Sequence, residues 1–269
     1  MPLGSGMRIR VDLLIEPALV LPWHYLDWLR GVVYQALWRG APGVATRLHD
    51  EGWVLGSRQY KPLTYSLLQA ARARATPGGL VVEGRTGWWV SSPLVGVMEA
   101  VVTGLVGEGQ VRLGQRLVPV LGVEVVPPPA WAERMVFTTL SPLCVSTAES
   151  DGQGGLRKRF LQPTEADFSR VLSENLRRKA EAFLGRSVEG EVVVRWQGRP
   201  QSRLLLVSGM QVRGWQGTFV AEGPVELLQM GYNAGFGERT AQGFGMVAAA
   251  AAMAKGTAAL AEQRQCDEP

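Results

Sequence analysis

Three consecutive prolines, Pro127-Pro128-Pro129, stand near the middle of this chain. No helix or sheet interior runs through such a triplet, because each proline fixes φ and removes a backbone donor. Whatever the chain folds into is therefore built from two halves joined by a stiff connector. With 269 residues to divide, each half has the roughly 100–150 residues that enclose a core of their own.

The pattern within the halves predicts their elements. Ile9, Val11, Leu13 and Ile15 alternate with Arg8, Arg10 and Asp12 as in a half-buried strand. From 22 to 38 the period lengthens, with Leu26, Leu29, Val33 and Leu37 forming the stripe of a helix that Pro22 opens. A short helical segment is expected at 44–49 and an extended stretch at 60–65. Residues 80–83 and 87–90 read as a hairpin turning at Gly84-Arg85-Thr86, followed by a helix over 93–106 and strands at 110–113 and 117–126.

The resulting β-α-β-β-α-β order is that of the ferredoxin-like arrangement. Beyond the prolines the order is echoed: strands at 135–139 and 156–161, a helix capped by Thr164, strands at 191–196, 203–207 and 218–221, a helix at 225–232 and a last strand at 244–249. The expected fold is α+β, two tandem ferredoxin-like (RRM-like) domains at 7–126 and 131–254. Residues 1–6, ahead of a second methionine, Met7, read as an expression linker, and 255–269 as a flexible tail.

Composition narrows the function. At 46% hydrophobic and 19% charged residues the chain is ordinary globular protein. Without an apolar run of about 18–20 residues or a signal peptide it is expected in the cytoplasm, away from membranes. Two cysteines, Cys144 and Cys266, and two histidines, His24 and His49, give neither a disulfide framework nor metal-ligand spacing, so no metal or cofactor is expected. His24, beside Trp23 and Tyr25 at a helix start, reads as a capping or packing residue. The net charge of +4 suits a polyanion. The basic clusters Arg157-Lys158-Arg159 and Arg177-Arg178-Lys179 read equally as phosphate contacts or as solvated faces.

The most unusual stretch is Gly235-Phe236-Gly237-Glu238-Arg239-Thr240-Ala241-Gln242-Gly243-Phe244-Gly245. Its helix–loop–strand context, with Thr240 where a third glycine belongs, speaks against a dinucleotide fingerprint, and no phosphate-binding P-loop occurs. Paired glycines admit either close approach of a ligand, with Arg239 as a phosphate partner, or tight turns at positive φ.

Further stretches stand in order along the chain: Leu21-Pro22-Trp23-His24-Tyr25 leading to Leu29-Arg30-Gly31-Val32-Val33-Tyr34, then Ala45-Thr46-Arg47-Leu48-His49, Lys61-Pro62-Leu63-Thr64-Tyr65-Ser66 and Thr139-Leu140-Ser141-Pro142-Leu143. Taken with the glycine-rich segment, they make the chain resemble the CRISPR repeat-processing endoribonucleases, the sixth Cas family of the RAMP superfamily, from Met7 to Val247. In members of that family a tyrosine of the first helix, a histidine just beyond it and a lysine before the Thr-Tyr-Ser stretch form the active site. The resemblance implies those roles for Tyr34, His49 and Lys61.

It also implies metal-independent cleavage of CRISPR precursor RNA within its repeats. In such cleavage a 2′-hydroxyl attacks its own phosphate, leaving a 2′,3′-cyclic phosphate and a 5′-hydroxyl, and the enzyme moves two protons and stabilises charge on phosphorus. Repeat RNA would be partner both as precursor and as product, with a homodimer or a CRISPR effector complex as further associations. RNA contacts are expected from Arg157, Lys158, Arg159 and Arg239 and from the backbone at Gly235, Gly237, Gly243 and Gly245. The competing reading is a non-catalytic RNA-binding RAMP subunit of an effector complex, for which His49 is the discriminator. A cofactor-dependent oxidoreductase stands a distant third.

Overall fold

A computed structural model describes residues 6–150, 152 and 155–250. The expectations for a linker before Gly6, for the tail and for Cys266 lie outside the described residues. The first half runs β1 (Met7–Leu21), α1 (Tyr25–Gly40), α2 (Pro42–Thr46), a π-helical turn (Arg47–Glu51), β2 (Trp53–Leu55), β3 (Arg58–Tyr60), β4 (Thr64–Tyr65), β5 (Gln69–Thr76), β6 (Gly79–Ser92), α3 (Val95–Glu108), β7 (Gln110–Leu113) and β8 (Arg116–Val125). β1 lies between β6 and β8, and β5 pairs with the far side of β6, all antiparallel. The apolar side chains of the alternating run, Ile9, Val11, Leu13 and Ile15, face the α1 stripe of Leu26, Leu29, Val33 and Leu37 in one buried cluster.

The helices α1 and α3 cross where the sequence supplies only small residues. A Cβ on Gly104 would lie 2.0 Å from the Ala36 carbonyl oxygen, and one on Gly40 1.9 Å from that of Ala100. This contact lets two backbones meet over the sheet and fixes α1, the helix that carries Tyr34.

The second half runs β9 (Arg134–Thr139), β10 (Ser146–Ser150), β11 (Leu156–Phe160), α4 (Asp167–Leu184), β12 (Val193–Val207), β13 (Met210–Glu222), α5 (Val225–Ala234), a 3₁₀ turn (Thr240–Gln242) and β14 (Val247–Ala249). Its main sheet has the order β12-β13-β9-β14. Phe137, Phe219 and Phe236 fill the core with Leu172, Leu176 and Leu227 from the two helices. Both halves thus have the ferredoxin-like order, two outer strands around two inner ones with helices between.

Two expected strand breaks are absent. β6 is one strand of 14 residues: Gly84, at φ +82, is absorbed where the pairing with both β1 and β5 shifts register, so the expected turn at 84–86 is a β-bulge. The hairpin partner of β6 is β5, which the sequence reading missed. Likewise β12 continues through Gly198, at φ +74, with a register shift between Gln197 and Gln201. Thr164 is not the cap of α4. That helix starts at Asp167 behind Ala166, with no side-chain cap.

The halves are joined well beyond the proline connector. The β12–β13 hairpin reaches back to α1, where the backbone N–H of Ser208 donates to Asp27 Oδ2 at 3.0 Å and Arg30 Nη1 donates to Ser208 Oγ at 2.9 Å. Val207 and Val212 of this hairpin belong to the first half's core. Arg8 of β1 is 3% exposed. Its guanidinium donates to the backbone oxygens of Val247 (2.5 Å) and Tyr232 and stacks 3.4 Å from the Tyr232 ring centre. Burial pushes this guanidinium down to about 10, with Tyr232 pulling the other way.

Candidate active site

Tyr34, His49 and Lys61 come from three different segments and meet. Tyr34 lies on α1 at the border of the apolar stripe, half-buried. His49 lies in the π-helical turn after α2, where the chain winds one residue wider and Gly52 N–H closes back on the Arg47 oxygen at 2.7 Å. Gly52 stands at φ +60, and a Cβ there would strike Gln59, whose amide caps the turn by donating to the oxygens of Asp50 (3.1 Å) and Glu51 (2.5 Å). Lys61 follows β3 directly, with Pro62 stiffening the chain behind it.

Lys61 Nζ donates to the Tyr34 hydroxyl at 3.2 Å and to the His49 backbone oxygen at 3.1 Å, and stands 5.5 Å from the Tyr34 ring centre. The Tyr34 and His49 rings meet edge to face with centres 5.6 Å apart. His49 Nδ1 lies 2.6 Å from Asp50 Oδ1, a partner the sequence reading did not name although it is the next residue. The imidazole is 64% exposed. Arranged this way, the site offers a proton-exchanging nitrogen oriented by a carboxylate, a hydroxyl, and a cation with donors to spare. His24, by contrast, makes no side-chain cap and meets Trp28 edge-on, a packing role.

A cavity of about 410 Å³ connects this cluster to the second half, lined by Lys61 and Arg58 on one side and by Lys179, Glu238 and Arg239 on the other. Arg239 therefore shares a cavity with Lys61, although 178 residues separate them in sequence. The expectation for the four glycines is corrected. All are buried, and each lacks a Cβ because the chain itself occupies the space. A Cβ on Gly237 would lie 2.4 Å from the Cys144 oxygen, one on Gly245 2.1 Å from the Phe236 oxygen, one on Gly243 2.8 Å from Leu26 and Tyr65, and one on Gly235 2.6 Å from Thr240. The N–H groups of Gly243 and Gly245 are used by Thr240 and Pro142. Internal packing, rather than close approach of a ligand, explains these residues.

Two family models match the chain almost back to back: one described as CRISPR-associated protein Cas6, N-terminal, over residues 20–122, the other as CRISPR associated protein Cas6, C-terminal, over 126–249. The chain belongs to the Cas6 family. Among Cas6 relatives, the CRISPR-associated endoribonuclease Cas6 1 of Methanocaldococcus jannaschii is 29% identical over 248 residues, covering 90% of this chain and 92% of the relative. The CRISPR-associated endoribonuclease Cas6 of Pyrococcus furiosus is 29% identical over 247 residues, covering 90% and 89%. A solved structure characterising a Cas6-related gene from Pyrococcus furiosus superposes with a TM-score of 0.81 at 22% identity, over 91% of this chain and 98% of that one, which shows the shared fold.

The basic clusters of this Cas6 chain divide. Arg157, Lys158 and Arg159 lie on β11, and each pairs with a carboxylate: Glu149 at 3.2 Å, Glu238 at 2.5 Å and Glu165 at 2.5 Å. Their charge is partly offset within the chain. These three residues line a basin between β11 and the β12–β13 hairpin, together with three arginines that the sequence reading passed over, Arg199, Arg203 and Arg213. Arg199 falls in the register shift of β12 between Gln197 and Gln201, and Arg203 stands on the regular strand beyond it.

Lys179 is neither a phosphate contact nor part of a solvated face. It is buried, and its Nζ donates to the oxygens of Gly235 and Gly237 at 2.7 Å each, bracing the glycine-rich loop from α4. Desolvation pushes this lysine down to about 7 against the upward pull of Glu238. From about pH 7 to its ordinary value near 10.4, the unfolded chain therefore holds a proton that the folded protein has shed, so the Lys179 contribution to stability rises with pH across this window. In urea denaturation, the stability difference between the intact protein and Lys179→Met is expected to grow in favour of the intact protein by on the order of 1–2 kcal/mol from pH 7 to 9. A difference constant with pH would refute the assignment. The two stranded carbonyls cost the same at both pH values and cancel.

Among the described residues no helix is long and apolar enough to cross a membrane.

Proposed function

We propose that this chain is an endoribonuclease that cuts CRISPR precursor RNA within its repeats, without a metal ion, at Tyr34, His49 and Lys61. The observation that carries the reading is the meeting of these side chains from α1, the π-helical turn and the end of β3, with Lys61 bonded to both other residues. Family membership and the endoribonuclease names of the relatives supply the substrate class.

Asp50 holds His49 Nδ1, which leaves Nε2 to take the proton from the 2′-hydroxyl as its oxygen attacks phosphorus. The bond from phosphorus to the 5′-oxygen then breaks. Because Lys61 donates to the Tyr34 oxygen, the Tyr34 O–H remains free to donate, and it serves the departing 5′-oxygen. The third Lys61 N–H and its charge stabilise the non-bridging oxygens, where negative charge builds up. The products are a 2′,3′-cyclic phosphate and a 5′-hydroxyl. In this reading the domain at 7–126 cuts, while the domain at 131–254 holds RNA through Arg239, Lys158, Arg157 and Arg159.

The test is cleavage of a cognate repeat RNA in excess EDTA with analysis of both product ends. Undiminished cleavage ending in a cyclic phosphate is expected. Cleavage abolished by EDTA and restored by magnesium would refute the metal-independent mechanism, and tight binding with no cleavage under any condition would refute the enzyme reading.

A further inference from the structure

We infer that the basin between β11 and the β12–β13 hairpin is a second RNA subsite, one that takes an unpaired segment of the repeat beside the cleavage position. The inference rests on the proposed function. The basin has a volume of about 1120 Å³ and is lined by Arg159, Arg199, Arg203 and Arg213 around Phe160 and Trp215.

Its charge is what sets it apart. On the same hairpin Arg195 is neutralised by Glu222 at 2.5 Å. Arg199, Arg203 and Arg213 have no carboxylate within ion-pair distance among the described residues. Neutral groups hold two of them instead: Arg203 donates to Gln216 and Gln201, both at 2.8 Å, and Arg213 donates to Ser202 at 2.7 Å. The register sets Arg213 with Ser202 and Trp215 on one face of the hairpin and Arg203 with Gln201 and Gln216 on the other, so the two forks flank the β12 edge from both sides with their charge uncancelled, which suits an incoming anion with several acceptor oxygens.

The aromatic residues select between forms of that anion. Trp215 and Phe160 are half-buried, with the Trp215 ring N–H tied to the Leu161 oxygen at 2.9 Å, so the indole is fixed in place. A fixed aromatic surface among arginines stacks exposed bases, whereas a base-paired stem hides its base faces and offers only backbone. Position supplies the third argument. Lys158 lines the basin, and its ammonium reaches Glu238, which lines the cavity shared by Lys61 and Arg239. Basin and cleavage site are therefore neighbours along one surface, and a strand leaving Lys61 past Arg239 enters the basin.

The experiment measures affinity for a repeat RNA as a function of salt in a His49→Ala background, which keeps the RNA whole. The variants are the triple substitution Arg199→Gln, Arg203→Gln, Arg213→Gln and its lysine counterpart at the same positions. The glutamine triple is expected to bind about tenfold or more weakly and to lose about 2 from the slope of log affinity against log salt, given ~0.7 per single-strand phosphate contact. The lysine triple keeps the slope. RNA trimmed of its unpaired flank should bind the background protein as weakly as the full RNA binds the glutamine triple. Unchanged affinity and slope in the glutamine triple would overturn the inference, as would an equal loss of slope in the lysine triple or an equal weakening toward a fully paired stem. Failure of the background protein to bind any repeat RNA, with no cleavage by the intact chain, would instead overturn the proposed function itself.

Discussion

His49→Ala is expected to lower the single-turnover cleavage rate of a repeat RNA by about 10²- to 10⁴-fold, the range that a positioned proton-transfer group contributes. RNA affinity should stay close to that of the intact protein. The two expectations separate because of where the imidazole sits. It is 64% exposed, contacts Tyr34 only edge to face, and the Lys61 bond to residue 49 goes to the backbone oxygen, which alanine keeps. Removing the ring therefore takes away the Nε2 nitrogen without unfolding the π-helical turn or releasing Lys61. Rapid-quench kinetics with saturating enzyme, paired with a binding titration, reads both quantities. A loss confined to binding, or a rate within a few-fold of intact, would show that His49 is not the proton-transfer group.

The second large effect is on stability. Gly245→Ala is expected to cost about 3–5 kcal/mol, or to prevent folding, because two penalties add. The residue stands at φ +75, where an L side chain is strained, and its new Cβ would lie 2.1 Å from the Phe236 backbone oxygen, 3.0 Å from its carbonyl carbon and 3.1 Å from its nitrogen. No rotamer relieves a clash with backbone, and the Phe236 N–H is itself bonded to the Gly245 oxygen at 2.8 Å, so neither strand of the loop can give way. Gly107→Ala on the exposed side of α3 is the control: nothing lies within 4 Å of its Cβ, and the same change in a helix should gain up to about 1 kcal/mol. Urea denaturation of both variants decides the matter. A Gly245→Ala protein as stable as intact would mean that the loop is looser than described.

These cases show what can be read from a sequence of this kind. The alternation of Ile9 to Ile15 and the stripe of Leu26 to Leu37 predict the facing surfaces of β1 and α1 because burial on one side imposes a period, and the structure buries those residues together. A glycine stands at both misplaced strand breaks. At Gly84 and Gly198 a positive φ serves a bulge inside a long strand, and sequence alone gives such a glycine the same appearance as a turn. The β5 strand was missed because Gln69–Thr76 is Ala- and Arg-rich and largely exposed along the sheet edge, so it carries neither branched residues nor a buried face.

At the candidate site, Tyr34, His49 and Lys61 were singled out through their neighbours in sequence, and the structure brings them together. Their hydrogen bonds depend on the lengths of α2 and the β2–β3 hairpin, which periodicity does not encode. Lys179 shows the limit of reading charge as exposure: a basic triplet looks alike whether its last member faces water or braces a loop from below. The bracing becomes visible only when α4 is placed under the glycines.

Arg8 sets how the molecule can accommodate a long substrate. Any hinge-like opening between the two sheets would pull this guanidinium away from the Tyr232 and Val247 oxygens and from the Tyr232 ring, and breaking a buried charge from its partners costs several kcal/mol. Separation of the two halves is therefore opposed. The two halves thus offer a fixed surface, and on the proposed function a flexible repeat is expected to fit it at lower cost than a stiff one.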